Sequence, residues 1–388
     1  MENVKCTKCG GTLKFNQGDM VGVCESCGNE QTLANLKEKE ESRNNSSKPT
    51  KETNKRIISI VLKAFACVAF IVLTIFSCSL MGIHINSSHF PDPYLMGAVR
   101  RFDTNKNDWL SKKEIEEAKT LFTSGPCSDL TGIEKFPNLE EVHIGNCSDL
   151  SGIEKVTNLK ELSLSGNCPD LSHIENLSNL ETIEIWNCVF SETFVFDNDA
   201  SVKEVKFHDC VFENGIIFKN NSVEYVEFGY CGGHECVASG DFDFKDCDSL
   251  SGFNLELDTN NFDIMQEQSC NIDLSGCNNL EWVSIWSERE QRVPTINLSN
   301  CNKLRSVSVY DLHHGDDVAE ITLNICGSPN IDYVLLPNGI KKLDISNCPH
   351  LISASEQTPH EGEYHHGIVY ESEDGRIKSD NEQIEFIK

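Results

Sequence analysis

The chain has 388 residues, enough for two to four structural units. It carries 61 Asp and Glu against 33 Lys and Arg, a net charge of −28. The acidic excess lies after residue 82, which excludes nucleic acid as a partner of that body and favours basic or neutral ligands. Nineteen cysteines are an odd number, which excludes a fully paired disulfide framework.

Residues 1–30 read as a zinc ribbon. Cys6 and Cys9 form one CxxC pair, and Cys24 and Cys27 form a second. Each pair presents two thiolates from one tight turn, and together they supply the four sulfur ligands that tetrahedral Zn²⁺ prefers. A redox dithiol is the competing reading, but redox motifs rarely come as a matched pair. With all four positions filled by protein, the Zn²⁺ is expected to be structural. Residues 31–56 are polar, charged and without apolar periodicity, as in a flexible linker. Residues 57–83 are apolar apart from Lys63, long enough for one transmembrane helix. Basic residues precede this run, so the expected topology is a single-pass cell-membrane protein with its N-terminus cytoplasmic and its acidic body extracellular.

Residues 90–124 are expected to form an EF-hand-like helical cap. The loop Asp103 to Glu114 places Asp103, Asn105, Asn107, Ser111 and Glu114, with the Trp109 carbonyl, at calcium-ligand spacing. Asp108 stands where the turn favours Gly, and Asp tolerates the left-handed conformation better than most residues. Simple capping of the following helix, expected over Lys112–Phe122, is the alternative.

From Leu130 the sequence repeats itself. The pattern LxxLxLxxN/C falls at Leu139-Val142-Ile144-Cys147, Leu159-Leu162-Leu164-Asn167 and Leu180-Ile183-Ile185-Cys188. It continues with middle positions 205, 226, 253, 283, 307 and 334. Periods of about 20–30 residues predict a solenoid with one parallel strand per turn over 125–350, closed by a C-terminal cap or hairpin over 351–388. The fold class is therefore α/β leaning to β. Two cysteine ladders follow from the same spacing. One contains Cys147, Cys188, Cys210 and Cys231; the other contains Cys247, Cys277, Cys301 and Cys348. Their thiols are expected to be buried, stacked and reduced.

The stretch FPDPYLMGAVRRFDTNKNDWLSKKEIEEAK, followed by LTGIEKFPNLEEVHI, resembles bacterial cell-surface leucine-rich-repeat proteins of the internalin-like kind. Turns such as IDLSGCNNLEWVSI are similar to the doubled-strand repeats of that family. The resemblance covers about residues 90–350, and it implies protein or glycan binding without transferring any catalytic residue. A zinc ribbon and a membrane helix depart from the usual family pattern.

No HExxH, GxSxG, P-loop or Rossmann glycine motif is present, and no enzymatic activity is expected. In LxxLxL strands the residues flanking the apolar positions point outward onto the concave face. Those positions hold Glu184, Trp186, His208, Tyr225, Glu227, Trp282, Trp286, Tyr310 and Tyr333, a mixture of aromatics and carboxylates suited to a protein or glycan ligand. A transmembrane sensor relaying ectodomain binding to the cytoplasmic ribbon is the alternative function.

Overall fold

The computed structural model describes residues 4–15, 20–32, 34, 82–147, 149–166, 171–197, 201–219, 222–229, 235–257, 268–287, 291–311, 321–336, 340–361, 368–379 and 384–388. The chain divides into two compact units, Met1–Leu80 and Met81–Lys388.

In the first unit, Leu13–Lys14, Val21–Cys24 and Glu30–Thr32 form an antiparallel three-stranded sheet. Leu13, Cys6 and Cys24 are buried together, with Val4 and Phe15 packed against them. So small an apolar cluster cannot offset the chain entropy of folding without a further cross-link.

The second unit is a β-solenoid. Its long sheet has thirteen strands and includes all nine rungs anticipated from the repeat. Their central residues Val142, Leu162, Ile183, Val205, Val226, Phe253, Val283, Val307 and Val334 are fully or almost fully buried. Adjacent rungs pair in parallel and in register, so each apolar position stacks on its counterpart in the next turn. Two further rungs extend the run. Thr120–Pro126 pairs with Glu141–Gly145 at one end, and Arg376–Ser379 pairs with Tyr333–Leu336 at the other. Ile368–Glu371 then turns back antiparallel and covers that edge.

The opposite side changes along the solenoid. In the first three turns it is made of 3-10 segments, Ile133–Lys135, Ile153–Lys155 and Leu171–Ile174. From Phe194–Phe196 onward it becomes a second parallel sheet of eight strands that ends at Glu385–Ile387. Buried phenylalanines fill the cross-section where the second sheet begins. Phe207 stacks on Phe228 at 4.9 Å and Phe190 on Phe212 at 4.9 Å, while Phe218 stacks on Phe244 at 4.7 Å.

Side-chain ladders fasten successive turns. Along one rim, Asn138, Asn158 and Asn179 donate their amides to the carbonyls of Glu116, Pro137 and Thr157 in the preceding turn. Asn279 and Asn330 repeat the contact on Asp248 and Asn302. In the second ladder of cysteines, Cys247, Cys277, Cys301 and Cys348 donate to the carbonyls of Phe218, Phe244, Leu274 and Ile325. Ser328 fills the remaining rung, and its hydroxyl donates to Leu298 at 3.0 Å. In the first ladder, Cys147, Cys188 and Cys210 are buried, and Cys236 supplies a rung by donating to Phe207. Cys231, expected there, lies outside the described residues. Burial pushes the Cys301 thiol up to about 12 and Cys348 up to about 11, so these groups are protonated at neutral pH.

Three expectations are corrected. The fold is a β-solenoid with few helices, and no helix among the described residues is long and apolar enough to cross a membrane. Residues 57–81 of the anticipated membrane helix lie outside the described residues. Its last residue, Ile83, instead belongs to a short strand paired with Leu110. The single-pass localisation, with a cytoplasmic N-terminus and extracellular repeats, therefore has no spanning helix among the described residues to rest on, and the same holds for the transmembrane relay. The helix expected over Lys112–Phe122 ends at Glu117, because Leu121 is already buried in the first solenoid rung. Most of the anticipated linker also lies outside the described residues.

Candidate functional site: the sheet face, the cysteine knuckles and the cap loop

Strand alternation fixes what the long sheet presents outward. In Trp282–Ser287, Val283 and Ile285 are buried, so Trp282, Ser284 and Trp286 lie on the other face. Register carries this face across the rungs. Glu204, Tyr225, Gly252, Trp282, Ser306 and Tyr333 form one row. Lys206, Glu227, Asn254, Ser284 and Ser308 form the next. Glu256, Trp286 and Tyr310 lie in a third.

Glu184, Trp186, Tyr225, Glu227, Trp282, Trp286, Tyr310 and Tyr333 therefore share one face. Trp282 is 39% exposed and Tyr310 is 42% exposed. His208 lies in the same strand register but is only 4% exposed, its ring centroid 4.0 Å from that of Trp186 in a tilted contact. A buried imidazole of this kind serves packing more than contact with a ligand. Lys206, which the sequence reading passed over, is the cation among these carboxylates. It sits 3.0 Å from Glu204 and 4.0 Å from Glu184. The alternation of LxxLxL marks it as outward, so the signal was present.

Carboxylates on this face feel one another. Burial raises the Glu161 pKa, and Glu184 raises it further. Burial also raises Glu227; Glu256 adds to the shift, and hydrogen bonds from Tyr225 and Asn254 partly offset it.

The four N-terminal cysteines come together. Their sulfurs all lie within 4.8 Å of one another. Individual separations are 3.3 Å for Cys9–Cys27, 3.5 Å for Cys9–Cys24 and 3.8 Å for Cys6–Cys27. Tetrahedral bonds of about 2.3 Å would place sulfurs about 3.8 Å apart, so the cluster fits a four-thiolate metal ion. The two knuckles are built alike. Gly10 and Gly28 adopt φ of +79° and +69°, and their N–H groups donate to Cys6 and Cys24 carbonyls at 2.9 Å. Only a residue without Cβ takes that turn at no steric cost.

The cap loop closes on itself. Oε1 of Glu114 accepts from Thr104 N–H and hydroxyl and from Asn105, while Oε2 accepts from the backbone and hydroxyl of Ser111. Ser111 returns the bond to Glu114 N–H, forming a capping box on Lys112–Glu117. Asp103 accepts from Asn107 and Asp108 N–H, and Asn107 accepts from Trp109 N–H. These bonds hold Glu114 down at about pKa 2, with the Thr104 hydroxyl the largest cause and Ser111 N–H next. Asp108 adopts φ of +63°, the left-handed conformation its place in the turn demands. This is the geometry of a capped turn satisfied by its own donors, and calcium has no support beyond the spacing. Asp92 ties the same cap to the solenoid. One oxygen caps Pro93–Val99 through Tyr94 and Leu95 N–H, and the other accepts from Ser128 N–H at 2.9 Å.

No protein-family profile matches the chain, and no curated protein does. Solved structures with similar arrangements include an internalin C2 from Listeria monocytogenes. It is 18% identical, covers 66% of this chain and 88% of that chain, and gives a TM-score of 0.31. An internalin inlF from the same organism is 15% identical, with 66% and 92% covered and a TM-score of 0.28. The functional domain of InlJ from Listeria monocytogenes, which includes a cysteine ladder, is 13% identical, with 70% and 80% covered and a TM-score of 0.30. Likenesses this distant carry no weight for function, and the solenoid stands on its own strand register.

Proposed function

We propose that the chain is a non-catalytic binding protein. The outward face of the long sheet engages a protein or glycan partner, and the cysteine knuckles hold a structural Zn²⁺. One observation carries the first part: exposed Trp282 and Tyr310 stand on strands whose opposite face is solid core. Large rings held on a rigid sheet lose little conformational entropy on binding, which makes them effective anchors.

The proposal can be tested by selection. Displayed peptides and protein domains, together with a glycan array, are presented to the full chain. Ligands should lose binding to Trp282→Ala and Tyr310→Ala, both of which sit outside the core. They should keep binding to Val195→Ser, on an exposed position of the second sheet. Ligands indifferent to the first two substitutions would refute the assignment of the face.

For the ribbon, Cys6, Cys9, Cys24 and Cys27 would hold the ion. Bound Zn²⁺ supplies four metal–thiolate bonds in place of the core that so short a segment lacks. Full chain is expected to contain about one zinc per molecule, and Cys9→Ser about none. Wild-type chain that remains metal-free after zinc loading would overturn this half of the proposal.

A further inference from the structure

The rows of the long sheet enclose a trough toward its C-terminal half. Asn254, Ser284 and Ser308 form a floor of short polar side chains on three successive rungs. Tyr225, Trp282 and Tyr333 stand along one side, and Trp286 and Tyr310 along the other.

One end of the trough is specially shaped. Tyr225 and Trp282 are two rungs apart, which at about 4.8 Å per rung separates their backbones by about 9.6 Å. Their ring centroids are nonetheless 5.9 Å apart. Gly252, between them, permits this. A Cβ there would come within 2.8 Å of the Trp282 ring, so the indole lies over the glycine and leans toward Tyr225. Glycine within a strand costs stability and commonly marks a close approach; here it seats an aromatic shelf.

Charge decides what the shelf suits. The strands Tyr225–Phe228, Gly252–Leu257, Trp282–Ser287, Ser306–Asp311 and Tyr333–Leu336 contain no Lys, Arg or His, whereas they carry Glu227 and Glu256. Lys206 lies on the adjoining rung at one end, within reach of Glu204 and Glu184; at the other end Arg376 and Lys378 stand on the rung beyond Tyr333, with Arg376 paired to Glu371. Glu227 lies two residues beyond Tyr225 on the same strand and opposite Asn254 on the next rung, which places its carboxylate at the junction of shelf and floor. Aromatic faces beside carboxylates attract cations by two additive effects, the ring quadrupole and the anionic charge.

We propose that this trough binds an extended basic segment of a partner protein, laid across the rungs, with an arginine or lysine head between the Tyr225–Trp282 shelf and Glu227. The inference rests on the proposed binding function and specifies its ligand. A neutral glycan would gain stacking on the rings and hydroxyl hydrogen bonds to the carboxylates but no charge attraction, so charge complementarity favours the basic peptide.

The test titrates full chain with hexa-arginine peptide and follows tryptophan fluorescence. Saturable binding at one peptide per chain is expected. Glu227→Gln and Trp282→Ala should each weaken it about tenfold, in line with a partly desolvated cation–π contact or charge pair. Gly252→Val, which unseats the indole, should weaken it similarly. Circular dichroism reports whether each variant folds, and Glu227→Gln changes no volume, so at least one variant stays interpretable. Glu373→Gln with Asp374→Asn, at the hairpin turn outside the trough, should leave affinity unchanged.

Equal weakening by the control pair would show that the peptide merely senses net charge and would overturn the proposal. Absence of binding, or binding indifferent to Trp282→Ala, would also overturn it. Selection of neutral glycans or apolar peptides that still require Trp282 would defeat the basic-segment inference while leaving the binding face intact.

Discussion

The cysteine ladder provides its own natural control, because Ser328 occupies one rung. Cys277 is fully buried and donates to the Phe244 carbonyl at 3.1 Å. Ser328 makes the equivalent contact to Leu298 at 3.0 Å. Replacing Cys277 with Ala removes the sulfur, leaves a small void and deletes one bond to a carbonyl. That carbonyl retains Cys247 N–H as a donor. Loss of transfer energy, void and weak bond together should cost about 1.5–2.5 kcal/mol. Cys277→Ser loses some apolar volume but keeps the donor, for a cost of about 0–1 kcal/mol. For a domain of this size, each kcal/mol moves the melting temperature by about 1–3 °C. Thermal unfolding followed by circular dichroism should rank wild type highest, Ser next and Ala lowest. The reverse substitution, Ser328→Cys, should lie within about 1 kcal/mol of wild type. A Ser variant at Cys277 as damaged as the Ala variant would refute the view that the rung exists to give that carbonyl a second donor.

Other outcomes follow from the same geometry. Asn158→Ala removes the rim contact to Pro137 and should cost about 1 kcal/mol, whereas Asn158→Asp, which cannot donate, should cost at least as much; equal stability of all three would dismiss the rim ladder. Glu114→Gln should lower the melting temperature alike in calcium and in chelator, because one of the two accepting oxygens becomes an NH2 group that faces donors of Thr104 or Ser111 in both; a calcium-dependent difference would reinstate a metal loop. Glu114 is depressed from its ordinary 4.5 to about 2, and Asp92 is also lowered, as N–H donors from Leu95, Ser128 and Tyr94 outweigh its burial. Depressed carboxylates stabilise the fold above their unfolded values and lose that contribution as pH falls through the folded ones. Stability of the cap should therefore be flat above about pH 4.5 and decline toward pH 2. Hydrogen exchange at residues 92–117 measures it, and a decline beginning near neutrality would contradict the assignment.

The repeat was legible because its signal is redundant. Nine apolar triplets at a regular period specify which strand residues face inward, and a one-residue slip would turn them all outward. The four cysteines of the knuckles were legible for a similar reason: two CxxC pairs leave few other geometries. Less could be read where one side chain has several partners. Asp103 to Glu114 has the spacing of a cation loop, yet Thr104 and Ser111 satisfy Glu114, and composition alone does not say which wins. His208 falls on an outward position by alternation, but Trp186 on the neighbouring rung covers it. The early end of the helix at Glu117 follows from Leu121, whose claim on the first solenoid rung overrides local helix propensity. Ser328 as a thiol substitute was hidden because the ladder was traced by residue type, whereas the structural requirement is for a donor. The membrane helix was inferred from length and apolarity alone, and Ile83 within that span joins a strand instead.

The most direct test of the binding face is a hydroxyl-radical footprint of the full chain, alone and saturated with a ligand selected on it. Trp282, Trp286 and Tyr310 should be protected together, while Val189 and Val195, exposed on other strands of the solenoid, should react as before. Protection of Val189 and Val195, with the three rings unchanged, would place the partner on another surface and contradict the account.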